Sequence, residues 1–147
     1  MIKLRFVTTD SIISAAIRLV TWSEYSHVEL VTDNGYIAAH KDGGVSLLPY
    51  NYCKPSKSAY GYVNCSPIQA EKVVEFMNSQ IGKPYDTLNI LGILFHRDWK
   101  KNSSWCCSEL VAAAFDYAGY PLLERDPPNR VTPGDLYHSP LIEIESG

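Results

Sequence analysis

The stretch from Ser26 to His40 constrains the fold most. Ser26-His27-Val28-Glu29-Leu30-Val31 alternates polar and apolar residues, the period of a strand with one buried face. Asp33-Asn34-Gly35 follows, a sequence suited to a tight hairpin turn, and Tyr36 to His40 supplies the returning strand. On the first strand Val28 and Leu30 fall on one face, with His27, Glu29 and Val31 on the other. His40 ends the second strand, so a hairpin draws His27 and His40 into one neighbourhood. Alternation at Ile2–Thr8, Val45–Leu48 and Ser58–Asn64 predicts further strands, and Leu141–Ile144 suits an edge strand.

Helix signals fall mainly after these strands. Asp10 is placed to cap a short early helix whose apolar residues are Ile12, Ile13, Ala16, Ile17 and Val20. Ser66-Pro67-Ile68-Gln69 carries three agreeing start marks: a capping serine, a proline at the first helical position, and a glutamine that completes a capping box. This helix is expected to run to Ile81 and stop at Gly82. Asp86 caps a further predicted helix through Leu94, and Ser103 or Ser104 caps another that runs through Ala118 to Gly119. Strands cluster and helices cluster, which predicts an α+β fold rather than a doubly wound parallel sheet. With 147 residues, the chain is expected to form a single domain. The proline-rich stretch from Glu124 to Pro133 lies too near the C-terminus to divide it.

Charge and cysteine usage exclude several function classes. The net charge is −3 and no basic run follows a phosphate backbone, so nucleic acid is not an expected partner. No apolar stretch reaches membrane-spanning length. The alternating N-terminus reads as a strand rather than a signal peptide, so the expected location is the cytoplasm unless another route exports the chain. The four cysteines, Cys53, Cys65, Cys106 and Cys107, are expected to be reduced thiols. They lack C-x-x-C spacing, and no histidine pair has zinc-finger spacing, so no metal site is expected.

Asn102 to Val111 holds the most reactive chemistry. Both Cys106 and Cys107 fall in the first turn of the predicted helix, where unpaired N–H groups and the helix dipole favour a thiolate. The buried stripe is Leu110, Val111, Ala114, Phe115 and Ala118. Cys107 lies in its middle, Cys106 at its edge, and Trp105 on the opposite side. Cys107 therefore faces whatever sheet the helix packs on. Two roles suit it: a small buried hydrophobe, or a nucleophile met by a histidine on that sheet. His27 and His40 sit in the hairpin, whereas His96 and His138 suit surface turns. His27 as base with His40 as its orienter is one arrangement that supplies a Cys–His pair with a third group.

At these residues the chain resembles the circularly permuted branch of the NlpC-type papain-like superfamily, the YiiX-like and YaeF-like bacterial proteins. Lecithin:retinol acyltransferase-like enzymes are more distant relatives of that branch. The matching pieces are Tyr25–Val31, Gly43-Gly44-Val45, Ile81–Asp86, Trp105–Val111 and Thr132–Leu136. In this branch the histidine strand precedes the cysteine helix, and the nucleophile immediately precedes Ser-Glu, which selects Cys107. The resemblance implies a permuted papain-like fold: an antiparallel sheet or partial barrel packed against a helix with the cysteine at its N-terminus. It also implies a bacterial or phage cysteine amidase or peptidase that needs no cofactor. The substrate would be a cell-wall peptide or a lipid-linked amide; a lipid acyltransferase or thioesterase, or a silent binding module, are the alternatives on this fold. One departure stands out. The slot that usually carries a polar third residue holds Ala38, and His40, two residues on, shares its face. Tyr25, Tyr36, Tyr85 and Trp105 are the aromatic candidates for lining a substrate groove, with core packing as their other role.

Overall fold

A computed structural model describes residues 1–10, 14–15, 18–19, 23–40, 43–85, 106–124 and 131–145. The helix expected from Asp86 to Leu94, the apolar stripe of the early helix, Trp105 and His96 lie outside the described residues. Ser14, Ala15, Arg18 and Leu19 are helical, in keeping with the early helix.

The chain is α+β. Six antiparallel strands form one open sheet: β1 (Ile2–Thr8), β2 (His27–Thr32), β3 (Gly35–His40), β4 (Gly44–Leu48), β5 (Lys57–Val63) and β6 (Glu143–Ile144). Their order across the sheet is β4-β3-β2-β1-β5-β6. Three helices are defined among the described residues: α1 (Pro67–Ser79), α2 (Cys107–Tyr117) and the short α3 (Pro133–Tyr137). None is long and apolar enough to cross a membrane.

Alternation decides which side chains meet. β1 pairs with β2 so that Leu4 opposes Leu30, Arg5 opposes Glu29, Phe6 opposes Val28 and Val7 opposes His27. Opposed residues share a face. Leu4, Phe6, Val28, Leu30, Ile37 and Ala39 enter the hydrophobic core, with Val73 and Met77 of α1 and Leu110, Val111, Ala114 and Phe115 of α2. The other face of the same strands carries Arg5, His27, Glu29 and His40.

The ends of α1 follow the sequence signals. Ser66 and Gln69 form the expected reciprocal capping box with Pro67 at the helix start. The helix closes at Gln80, and Gly82 adopts φ +97 just beyond it. Two short motifs far apart in sequence then meet. Val45 donates its N–H to the Lys83 carbonyl at 2.8 Å, and Gly82 donates to the Val45 carbonyl at 2.9 Å, so 82–85 covers the β4 edge. Gly44 permits this approach: at φ +64, a Cβ there would sit 2.3 Å from the Lys83 oxygen.

Two local readings are corrected. Cys106 is not in the first helical turn; its backbone is extended (φ −95, ψ 163), and it is the N-cap, with no side-chain cap bond. The helix therefore opens at Cys107. α3 has no counterpart among the predicted helices. Thr132 and Asp135 bond reciprocally around Pro133 to start it, but five residues are too few for a periodic pattern to register.

Candidate active site

The site forms where the hairpin opens. Paired residues of β2 and β3 run from Thr32–Gly35 through Val31–Tyr36 to Leu30–Ile37 and stop there. The N-terminus of α2 sits at this opening. The backbone N–H groups of Val28 and Ser108 donate to the Cys107 sulfur, and His27 hydrogen-bonds to it. Cys107 belongs to the core cluster and is only 4% exposed. Its position at the first turn follows from the amphipathic stripe that seats α2 on the sheet.

His27 has a second partner on its own strand. Its Nε2 lies 3.5 Å from Glu29 Oε2. This is an electrostatic contact without the alignment of a hydrogen bond, since Nε2 has no hydrogen-bond partner. The nitrogen that serves Cys107 is accordingly Nδ1. Glu29 is fully buried and held from two other sides: Arg5 forms an ion pair and hydrogen bond with Oε1, and the Tyr52 hydroxyl donates to Oε2 at 2.7 Å. Arg5 also lies over the Tyr36 ring, 3.7 Å from its centroid.

These contacts set the charges. Burial alone pushes the Cys107 thiol up, but the His27 charge and hydrogen bond, with the two backbone N–H donors, hold it below the ordinary thiol range. Burial works against the His27 imidazolium, but Cys107 and Glu29 raise its pKa to about 10. Burial opposes the Glu29 carboxylate; His27, Tyr52 and Arg5 together hold its pKa below the usual value. Cys106 goes the other way: burial, the Glu109 carboxylate and Cys107 push its thiol well up. Two adjacent cysteines are thus shifted in opposite directions, Cys107 toward the thiolate and Cys106 away from it.

The expected third group was His40, and the structure places it beside His27. The two rings stand 4.8 Å apart between centroids at 43°. His40 Nε2 is buried without a hydrogen-bond partner, and burial with the neighbouring His27 charge lowers its pKa to about 4. Ala38 is fully buried, paired with Ser46 across the β3–β4 ladder. Among the described residues, the carboxylate in contact with His27 is Glu29. The sequence held a signal for it, since a glutamate two residues after the histidine shares its face. Arg5 and Tyr52 carried no such signal. His27, Glu29 and His40 also bring one potential ligand atom each within 4.8 Å of one another.

The aromatic candidates are dispersed. Tyr25 is 3% exposed and packs between Phe6 and Tyr137, with centroids at 6.1 and 4.8 Å. It lines an open cleft of about 660 Å³ with Glu24, Lys57, Tyr60 and Glu145, near the β5–β6 edge, and Cys107 is not among the lining residues. Tyr36 stacks on Arg5, and Tyr85 packs partly buried against the core. Trp105 lies outside the described residues.

Neither a protein family nor a curated protein matches the sequence. Among solved structures the chain is similar to YiiX from Escherichia coli O157:H7, described as a metalloprotein of DUF1105. The two share 20% identity and a TM-score of 0.75 over 98% of this chain and 94% of that one. The open sheet with its few helices therefore has a YiiX-like fold.

Proposed function

We propose that the chain is a cysteine hydrolase of the permuted papain-like kind, with Cys107 as nucleophile, His27 as base and Glu29 behind His27. The observation that carries this reading is the Cys107 sulfur at a helix start, hydrogen-bonded to His27 and to two backbone N–H groups. A thiol that served only as packing would gain nothing from an imidazolium on one side and a pinned carboxylate beyond it.

The chemistry follows from the charges. Cys107 attacks a carbonyl carbon as thiolate, and the carbonyl π pair moves to oxygen. Backbone N–H groups at the start of α2 would stabilise that oxyanion. Collapse expels the amine or alcohol, which takes the proton from His27 Nδ1. His27, now neutral, removes a proton from water; the hydroxide adds to the thioester and Cys107 leaves as thiolate. Glu29 keeps Nε2 protonated and turned away from the sulfur, so that Nδ1 exchanges the proton in both halves. Peptide-like or lipid-linked amides and esters are the proposed substrate class.

The test is the pH dependence of iodoacetamide modification, mapped by peptide and run with a chelator present. Cys107 is expected to react selectively, with its inflection well below the free-thiol value of about 8.5. His27→Ala should move the inflection back up. An inert Cys107, or an ordinary titration unaffected by His27→Ala, would sink the reading.

A further inference from the structure

His40 has no part in the mechanism above, yet it is placed with care. Its Nε2 and that of His27 are both buried and both lack a hydrogen-bond partner. Buried polar atoms left unsatisfied are rare, and two such imidazole nitrogens in one cluster with a carboxylate need a common explanation. One ligand atom from each of His27, Glu29 and His40 falls within 4.8 Å of the others. A tetrahedral zinc with bonds of about 2.0–2.1 Å brings its donors to about 3.3 Å apart. The donors would therefore have to draw in by about 1.5 Å around the cation.

We propose that His27, Glu29 and His40 bind one zinc-class divalent cation, and that its occupancy opposes the hydrolase chemistry. This regulatory role rests on the Cys–His reading; the binding site does not. Two imidazoles and one carboxylate suit zinc-class metals with an open fourth position, whereas magnesium and calcium prefer all-oxygen shells. Tyr52 donates to Glu29 Oε2 and Arg5 holds Oε1, the outer contacts that orient a ligating carboxylate. The Arg5 charge repels a dication, which keeps the site weaker than a structural zinc centre.

Occupancy changes what His27 can do. A cation on Nε2 takes that lone pair and displaces the proton to solvent. The ring then carries its hydrogen on Nδ1, which has no lone pair to accept a proton from water. Release of the acyl group therefore stops, while attack on an activated ester, whose leaving group needs no proton, continues.

Calorimetric titration of the metal-free full chain with zinc is the direct test. One site per chain is expected, weakened by about tenfold or more in His40→Ala and retained in Cys107→Ser. His40→Gln serves as a second variant, with circular dichroism to check that each folds. Cobalt in the same site should give absorption without a thiolate charge-transfer band. No saturable binding, binding indifferent to both His40 variants, or loss of binding in Cys107→Ser would overturn the site. The regulatory half is read with p-nitrophenyl acetate. Zinc should leave the initial burst and suppress steady-state release in wild type but not in His40→Ala; unchanged steady-state release at saturating zinc overturns it. Absence of any turnover with chelator present would instead count against the hydrolase reading, leaving the titration to decide the metal site by itself.

Discussion

The two faces of strands β1, β2 and β3 are built from alternate residues of the same chain and do opposite work. One face carries Leu4, Phe6, Val28, Leu30, Ile37 and Ala39 into the core beneath α1 and α2. The other carries Arg5, His27, Glu29 and His40. Both faces are largely buried, so burial does not distinguish them. The difference is what burial costs: the apolar face gains free energy by leaving water, whereas the polar face must satisfy each charge with a partner. Stability should therefore depend on shape on one face and on completeness of the charge network on the other.

Phe6→Ala should break the apolar face hardest. Phe6 is completely buried and its ring meets Tyr137 edge-on at 5.4 Å. Truncation should cost about 3–5 kcal/mol in chemical denaturation. A loss near zero would mean that this face is not the core. Glu29→Gln comes next. The amide keeps an acceptor for Tyr52 but leaves Arg5 a buried cation without its counter-ion, at a cost of about 3 kcal/mol. Because the folded-state pKa of Glu29 is depressed, its contribution is full above the ordinary value of 4.5 and fades as pH falls through the folded value. The gap between wild type and Glu29→Gln should shrink in acid. A gap constant with pH would mean the charge is not what matters.

How much of this was legible in the sequence follows the same division. Strict alternation exposed the strands of both faces, and the Asp33-Asn34-Gly35 turn fixed the hairpin. Ser66, Pro67 and Gln69 marked the start of α1 because a capping box needs only local partners. Cys107 could be singled out because its place on the stripe of α2 is a matter of helix geometry. The polar network was harder to read. Glu29 lies on the face of His27, but its partners Arg5 and Tyr52 come from β1 and from an irregular segment, and no local pattern links them. Nor does anything in Cys106-Cys107 mark a helix boundary, since cysteine is not a capping residue. The covering of β4 by 82–85 likewise depends on two glycine-containing motifs meeting in space.

His27→Ala should separate the faces more sharply than either change above. His27 is 16% exposed and lies on the polar face of the sheet, outside the hydrophobic core cluster, so its loss should leave most of the stability. Reactivity should change instead. With Cys107 lowered and His27 raised to about 10, the thiolate–imidazolium pair persists between the two values. Wild-type alkylation should rise below the ordinary thiol range and hold a plateau that changes again only as His27 loses its proton. In His27→Ala one rise should remain, displaced upward toward about 8.5. A variant that loses stability in step with reactivity would show that the network holds the fold rather than the thiol.

The smallest effect is expected from Lys57→Ala, which compares two ion pairs in different surroundings. Lys57 Nζ meets Glu24 Oε2 at 2.8 Å, but the two side chains are 51% and 66% exposed, whereas those of Arg5 and Glu29 are 6% and 0%. The exposed pair loses as much from immobilising two side chains as it gains from a charge contact in high dielectric, and salt weakens it further. Lys57→Ala should leave the melting temperature unchanged at ordinary ionic strength. A clear drop that salt does not reproduce in wild type would mean that Lys57 acts through its ammonium over the Tyr25 ring, 5.6 Å from the centroid at the cleft, and not through the ion pair with Glu24. That would make the rim of the sheet depend on an aromatic contact, where the polar face depends on a buried ion pair.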